Sequence, residues 1–385
     1  MSNFWKIAIL IVMVMTGYFA SDIYLPALPQ IGKHFNITIS QAQYTISIYL
    51  LGMAATQLVI GPVIDRYSYR RIALWLAIMF VAGSCIAFMT NQYYWLITAR
   101  LLQAVSAGAL SIIGRASLPL LFTGNDSVRA YLIVTSVICL SPAISPYIGG
   151  VITENLGWPS VFSFCALFGS IMFMAIYFRY KIKQKENNAK PGIRSYLLAY
   201  YSIISNKKFL AYAFITCAQF ITYFAYLTES PFIFSDLNYQ PSQIGQFYIP
   251  IAILLFASSL LARKLLLHIQ ASTLIISCLY INIIGCIVLG IIGYLGATNA
   301  YQIYIPAAIM CMGNVATSIC NAKCVSIFPD KAGTASGLVS SMALASSMIM
   351  SIFINKITGG SISILAVFML FFFILALFTA LRWLD

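Results

Sequence analysis

Twelve stretches of about 20 apolar residues follow one another along this chain of 385 residues, and no other feature limits its fold so severely. The hydrocarbon core of a bilayer is about 30 Å thick and takes about 20 helical residues to cross. Backbone groups in lipid must bond one another, so runs of this length are helices. A membrane barrel would show short alternating segments instead. The stretches lie at roughly 4–27, 42–63, 72–90, 93–121, 130–152, 160–180, 209–234, 244–262, 272–294, 301–321, 333–355 and 362–384. Phe4–Ala20 resembles a signal peptide, but no small-x-small site follows and Asp22 and Pro26 come directly after, so it reads as a retained first span.

Composition agrees. The chain is 61% hydrophobic and 8% charged, against about 25% charged in soluble domains. So few charges cannot cover a water-facing surface, which excludes a soluble scaffold, a cytosolic enzyme and a nucleic-acid binder. The net charge of +13 has another explanation. With the N-terminus in the cytoplasm and the spans alternating, the inner side carries Lys6, Arg66, Arg70, Arg71, Arg129, Arg179, Lys181, Lys183, Lys185, Lys190, Arg194, Lys207, Lys208, Arg263, Lys264, Lys323, Lys331 and Arg382. These are 18 of the 22 Lys and Arg; Lys33 and Lys356 fall outside, and Arg100 and Arg115 lie within a span. This is the positive-inside pattern, with lipid headgroups as partners of the basic loops. The nine cysteines are scattered through apolar runs and read as small buried hydrophobes, with no metal site expected.

The longest polar stretch, Arg179–Lys208, falls after the sixth span. It divides the chain into a six-helix bundle at 1–180, a cytoplasmic linker at 181–208 and a second six-helix bundle at 209–385. The halves repeat: Pro29, Asn36, Ser40 and Gln41 match Pro231, Asn238, Ser242 and Gln243 at a constant offset of 202. The expected fold class is therefore an all-α integral membrane protein with twelve transmembrane helices in two pseudo-symmetric bundles. Sites in such folds lie near the midplane, between the repeats.

Ionisable residues inside the membrane cost about 2.5–3.5 kcal/mol each and mark function. Four are prominent: Asp22, Arg100, Arg115 and Glu229. At 1.5 Å rise per residue, Asp22 lies roughly 8 Å and Arg100 roughly 10 Å below the outer surface. They are expected to face each other across the N-half. Arg115 lies about 22 Å further in, where it faces substrate or snorkels to the inner surface. Glu229 offers a second proton site or a counter-charge for a cationic substrate. Gln57, Gln103, Gln219 and Asn314 are cavity candidates, because an amide in lipid needs a partner, which another helix can also supply. Tyr49 and Tyr226 are candidates among many aromatics, most of which serve as interfacial anchors.

Several of these stretches together resemble the major facilitator superfamily, and within it the twelve-span drug:proton antiporters of the bicyclomycin-resistance type. They are Asp22-Ile-Tyr-Leu-Pro-Ala-Leu-Pro29, Gly61-Pro-Val-Ile-Asp-Arg66 with Arg70 and Arg71, Ala99-Arg100-Leu-Leu-Gln103, Ser141-Pro142-Ala-Ile-Ser-Pro146-Tyr-Ile-Gly149-Gly150, Glu229-Ser230-Pro231-Phe232 and Gly333–Gly337. Ser68-Tyr69 departs from the Gly-Arg usual in the loop motif, and Pro119-Leu120 from the Arg-Asp pair common after the fourth span. The resemblance implies that Gly61, Asp65, Arg66, Arg70 and Arg71 form a cytoplasmic gate that latches against Lys331–Thr334. It also implies that Pro142, Pro146, Gly149 and Gly150 shape a helix packed against the C-terminal half.

The expected function is secondary active transport: proton-coupled efflux of a small amphipathic drug or metabolite by alternating access. The expected location is the bacterial inner membrane, with both termini cytoplasmic. Asp22, Arg100 and Glu229 are the expected coupling charges and the proton the only coupling ion, with no cofactor; the family expectation is a monomer. The alternatives are a siderophore or metabolite importer or facilitator without proton exchange, and a non-transporting receptor. An enzyme is not expected: His34 and His268 stand far apart, and no nucleophile–base pair or phosphate loop is present.

Overall fold

The structure, a computed structural model, describes residues 3–64, 68–122, 124–180, 193–328 and 331–384. The described residues are helical almost throughout. The first half contains α1 (Asn3–Asp22), α2 (Leu28–His34), α3 (Ile39–Ile64), α4 (Tyr69–Met89), α5 (Tyr93–Ala116), α6 (Leu118–Leu121), α7 (Gly124–Leu156) and α8 (Pro159–Arg179). After α9 (Ile193–Ile204), the second half contains α10 (Lys207–Asp236), α11 (Pro241–Leu265), α12 (Ala271–Leu295), α13 (Ala300–Gly313), α14 (Val315–Ser326), α15 (Ala332–Thr358) and α16 (Ile362–Trp383). Among the described residues, 11 segments are long and apolar enough to cross a membrane. The 33-residue helix α7 occupies the place of the remaining expected span.

Helices end where their residues require it. Asp22 closes α1, and Pro26 lies in the 3-10 turn Leu25–Ala27 that leads into α2. The expected fourth span breaks at Ser117, ahead of Pro119, into α5 and α6. The expected tenth breaks at Asn314 into α13 and α14. The expected linker carries α9 in its second part.

The offset of 202 reappears as geometry. Among the described residues, Asn36 (φ 51°) and Asn238 (φ 63°) are the non-glycine residues with positive φ. Both follow a helix end, where Asn tolerates the left-handed conformation better than most residues. The next helix then starts in the same way in each half. Gln41 Oε1 accepts from the backbone N–H of Thr38 at 2.9 Å, and Gln243 Oε1 accepts from the backbone N–H of Gln240 at 2.9 Å.

Two antiparallel helix pairs join the halves: α3 on α15 and α7 on α11. The end of the bundle that holds α9 is termed the linker end, and the opposite one the distal end. The distal end is shut by close approach. A Cβ on Gly150 would stand 2.8 Å from the Pro241 carbonyl carbon, and one on Gly245 2.8 Å from Tyr147 Cα. Glu154 accepts from the Ser242 N–H at 3.1 Å, Gln43 donates to the Thr228 carbonyl at 3.2 Å, and the Ser47 and Ser351 hydroxyls lie 2.9 Å apart. Further toward the linker end, Ser341 donates to the Ala54 carbonyl. Small residues carry these contacts because membrane helices associate by close packing, having no water to expel.

Candidate functional site

Between the halves, at mid-height, lies a cavity of about 290 Å³. Ser21 and Asp22 of α1 and Leu50 and Met53 of α3 form its N-half wall. Gln219, Phe220, Tyr223 and Phe224 of α10 form much of the C-half wall, with Asn314, Thr317 and Ser318 at the α13–α14 break. Asp22 is 5% exposed, and it is the one acidic residue among the described lining; no basic residue lines it there. The exposed Ser318 also lines a groove of about 740 Å³ at the linker end, between the end of α11 and α14.

Arg100 does not oppose Asp22 as expected. Its guanidinium is fully buried, 4.4 Å from the Tyr24 ring centre and 4.2 Å from that of Tyr49. It donates to the Ala20 carbonyl at 3.0 Å and to Gln103 Oε1 at 3.1 Å. Among the described residues no ion pair joins it to Asp22. Equal depth put the two residues at one level, but the azimuth of Arg100 on α5 turns it into the aromatic box, held there by cation–π attraction.

The same packing removes other candidates from the cavity wall. Gln103 donates to Ser84 Oγ at 2.7 Å while accepting from Arg100. Tyr49 donates to the Gly17 carbonyl at 2.8 Å, with its ring under Arg100. Gln57 is buried where α3 meets α15 at Gly337. Arg115 reaches Ser111 on its own helix at 2.8 Å and lines none of the described cavities. Glu229 is 1% exposed and accepts from Thr358 at 3.3 Å near the distal end. It too is off the wall, so a carboxylate in each half does not make two carboxylates in one cavity. Gln219 and Asn314 line the cavity, and Tyr226 lines a side pocket of the C-half.

The gate residues are partly described. Gly61 lies in the last turn of α3, Arg71 is exposed, and Arg70 donates to the Tyr177 carbonyl at 2.6 Å. Asp65 and Arg66 lie outside the described residues. Lys331, on the expected receiving side of the latch, donates to Ser202 of α9 at 2.9 Å. Tyr200 of α9 donates to the Leu58 carbonyl of α3 at 3.0 Å, so α9 touches both halves. In α7, which also contains Pro142, the Pro146 backbone meets Gly245 and Gly150 meets α11, while Gly149 packs on Ile23 of its own half.

Sequence reasoning missed Tyr18, Ser21, Leu50, Met53, Leu255 and Leu344, all on the cavity wall. No charge or motif distinguishes them from lipid-facing neighbours.

Comparisons with known proteins agree on the family. The family model described as Major Facilitator Superfamily matches residues 10–351. A Shewanella sp. (strain ANA-3) protein named "Multidrug resistance protein MdtL" is 30% identical over 58% of this chain, and the chain spans 55% of that protein's length. A "Bicyclomycin resistance protein homolog" from Haemophilus influenzae is 26% identical over 91% of this chain and 88% of its own. The crystal structure of a D-xylose-proton symporter superposes with a TM-score of 0.80 at 12% identity, covering 99% of this chain and 98% of that one. At that identity the likeness speaks to the fold alone.

Proposed function

The chain belongs to the major facilitator superfamily and is a transporter rather than an enzyme; on that premise we propose that it exports a small amphipathic molecule in exchange for protons, with Asp22 carrying the proton. One observation carries this reading: Asp22 is the lone carboxylate on the described wall of the cavity between the halves. An ionised carboxylate shut away from water is costly unless a substrate group pairs with it, whereas the protonated acid costs far less. Proton and substrate therefore compete at one group. Binding a proton from one side releases the substrate there, and binding a substrate on the other side releases the proton.

The rest of the wall supports an amphipathic cargo. Phe220, Tyr223, Phe224 and Leu50 offer apolar surface, and Gln219, Asn314 and Thr317 offer neutral hydrogen-bonding groups. Small-molecule sites have this make-up, mostly apolar with a few placed polar groups. The multidrug-resistance names of the relatives point the same way. The basic residues on the linker end orient that end toward the cytoplasm, with both termini there, in the inner membrane of a bacterium. In that orientation the closed distal end is the outer one. No cofactor is required; the proton gradient supplies the energy, and one copy of the chain suffices.

The test is flux in proteoliposomes under an imposed pH gradient, using ethidium, chloramphenicol and tetraphenylphosphonium as probes. Uncoupler-sensitive movement of a probe is expected, and its loss in Asp22→Asn at unchanged protein level. Flux in D22N equal to that of the unaltered chain would remove Asp22 from the coupling step. Flux indifferent to the gradient would make the protein a facilitator.

A further inference from the structure

A second, smaller cavity of about 30 Å³ lies inside the C-half, walled by α10, α13 and α16. Five residues with neutral polar groups are among its lining: Gln219, Thr222, Tyr223, Tyr226 and Asn314. Gln219, Tyr223 and Asn314 also line the central cavity, so the two share a wall. Tyr226 is 6% exposed, and its hydroxyl has no hydrogen-bond partner among the described residues. A buried hydroxyl without a partner carries a desolvation cost that native proteins almost always avoid. Its neighbours have spare capacity of both kinds. Thr222 spends its proton on the Ala218 and Gln219 carbonyls, leaving its oxygen able to accept. Gln219 donates through Nε2 to the Gly313 carbonyl at 3.4 Å, leaving Oε1. Asn314 accepts from Thr317 at 2.7 Å through Oδ1, leaving Nδ2 to donate.

We infer that this side pocket is a substrate subsite that takes an uncharged hydroxyl or carbonyl group, bonded by Tyr226, while the apolar body of the substrate stays in the central cavity. No charged residue is among the described lining, so an ionised group would be stranded there. The volume limits the guest to a small terminal group, because one water already needs about 10–15 Å³ of such space. The local fold supports this placement. The break between α13 and α14 at Asn314 turns the side chains of Asn314 and Thr317 toward α10. Gly313 permits it by close approach: a Cβ there would stand 2.6 Å from the Cys278 carbonyl oxygen. Asp22 on one side and Tyr226 on the other would then select molecules with a hydrogen-bonding group at the end away from Asp22.

The inference rests on the efflux reading above, and its test separates the two. Binding of chloramphenicol, which carries hydroxyl and amide groups, is compared with that of tetraphenylphosphonium, which carries none, to the purified full chain and to Tyr226→Phe. The substitution removes one hydroxyl and keeps the ring. The Kd for chloramphenicol is expected to rise about tenfold in Y226F, the size of one buried hydrogen bond, with that for tetraphenylphosphonium unchanged. Thr222→Val, which removes an acceptor from the same pocket, is expected to act in the same direction. An equal effect of Y226F on both probes, or none on either, would overturn the subsite and leave the hydroxyl to a trapped water. Failure of the unaltered chain to bind either probe would overturn the drug-efflux reading beneath it.

Discussion

Arg100 shows how one residue can be prominent in sequence and yet act differently in the fold. It is the largest fully buried side chain among the described residues, held by two hydrogen bonds and two close aromatic faces. Bonds to a charged group contribute about 1.5–3 kcal/mol, and cation–π contacts about 0.5–2 kcal/mol. Arg100→Ala is therefore expected to cost about 3 kcal/mol or more, read as a lower melting temperature of the purified protein in detergent. Arg100→Lys keeps the charge but not the planar fork, and should fall between. Neither substitution is expected to move the pH dependence of substrate binding as D22N does, because Arg100 touches the structure around Asp22 and not the carboxylate. Arg100 lies at the level of the end of α1, where it meets the Ala20 carbonyl, but the rotation of each helix about its axis decides what its side chain meets.

At the scale of the element, the closest contacts fall on glycine. Gly150 sits against the Pro241 backbone and Gly245 against Pro146, so α7 and α11 approach backbone to backbone. Gly150→Val is expected to hold these helices apart and to slow transport at least tenfold in the proteoliposome assay. A Cβ on Gly290 would stand 3.5 Å from the Ala366 side chain, an ordinary contact; Gly290→Ala should leave transport unchanged and serves as the control. That the chain is a run of membrane-length helices was legible, because hydrophobic length marks such helices. The Asn36 and Asn238 helix ends were legible too, because each repeat carries the same turn chemistry. The break at Asn314 was not. No proline stands at it; Pro306 lies inside α13, and Asn282 and Cys278 of α12 lie close against Gly313 beside the break.

For the whole molecule, the question is which contacts must part for the cavity to open at the distal end. Ser47 on α3 and Ser351 on α15 lie 2.9 Å apart, hydroxyl to hydroxyl, across the halves. A Ser47→Cys/Ser351→Cys pair should oxidise to a disulfide that holds the distal end shut. Uncoupler-sensitive flux is expected to stop on oxidation and to return with dithiothreitol, while either single cysteine stays active. Continued flux in the fully cross-linked protein would show that the distal contacts do not part during transport. The linker end offers a contrast: α9 bonds Leu58 of one half through Tyr200 and Lys331 of the other through Ser202. A polar linker was expected in its place. A twelve-residue helix is too short to register as a span, and its bonds to both halves exist only once the halves have met.

Sequence alone determined the membrane as solvent, the helical class, the matching Asn36 and Asn238 turns, and Asp22 and Gln219 as groups worth following. These rest on length, on the cost of charge in lipid and on local turn chemistry, all of which act within a few residues. Tertiary structure alone decided that Asp22 stands without Arg100, that Glu229, Gln57, Gln103 and Tyr49 are packed away from the cavity, and that Tyr226 lines a pocket of the C-half. The reason is rotational. In a helix apolar on every side, nothing in the pattern marks the inward face, so the partner helices choose which side chains meet.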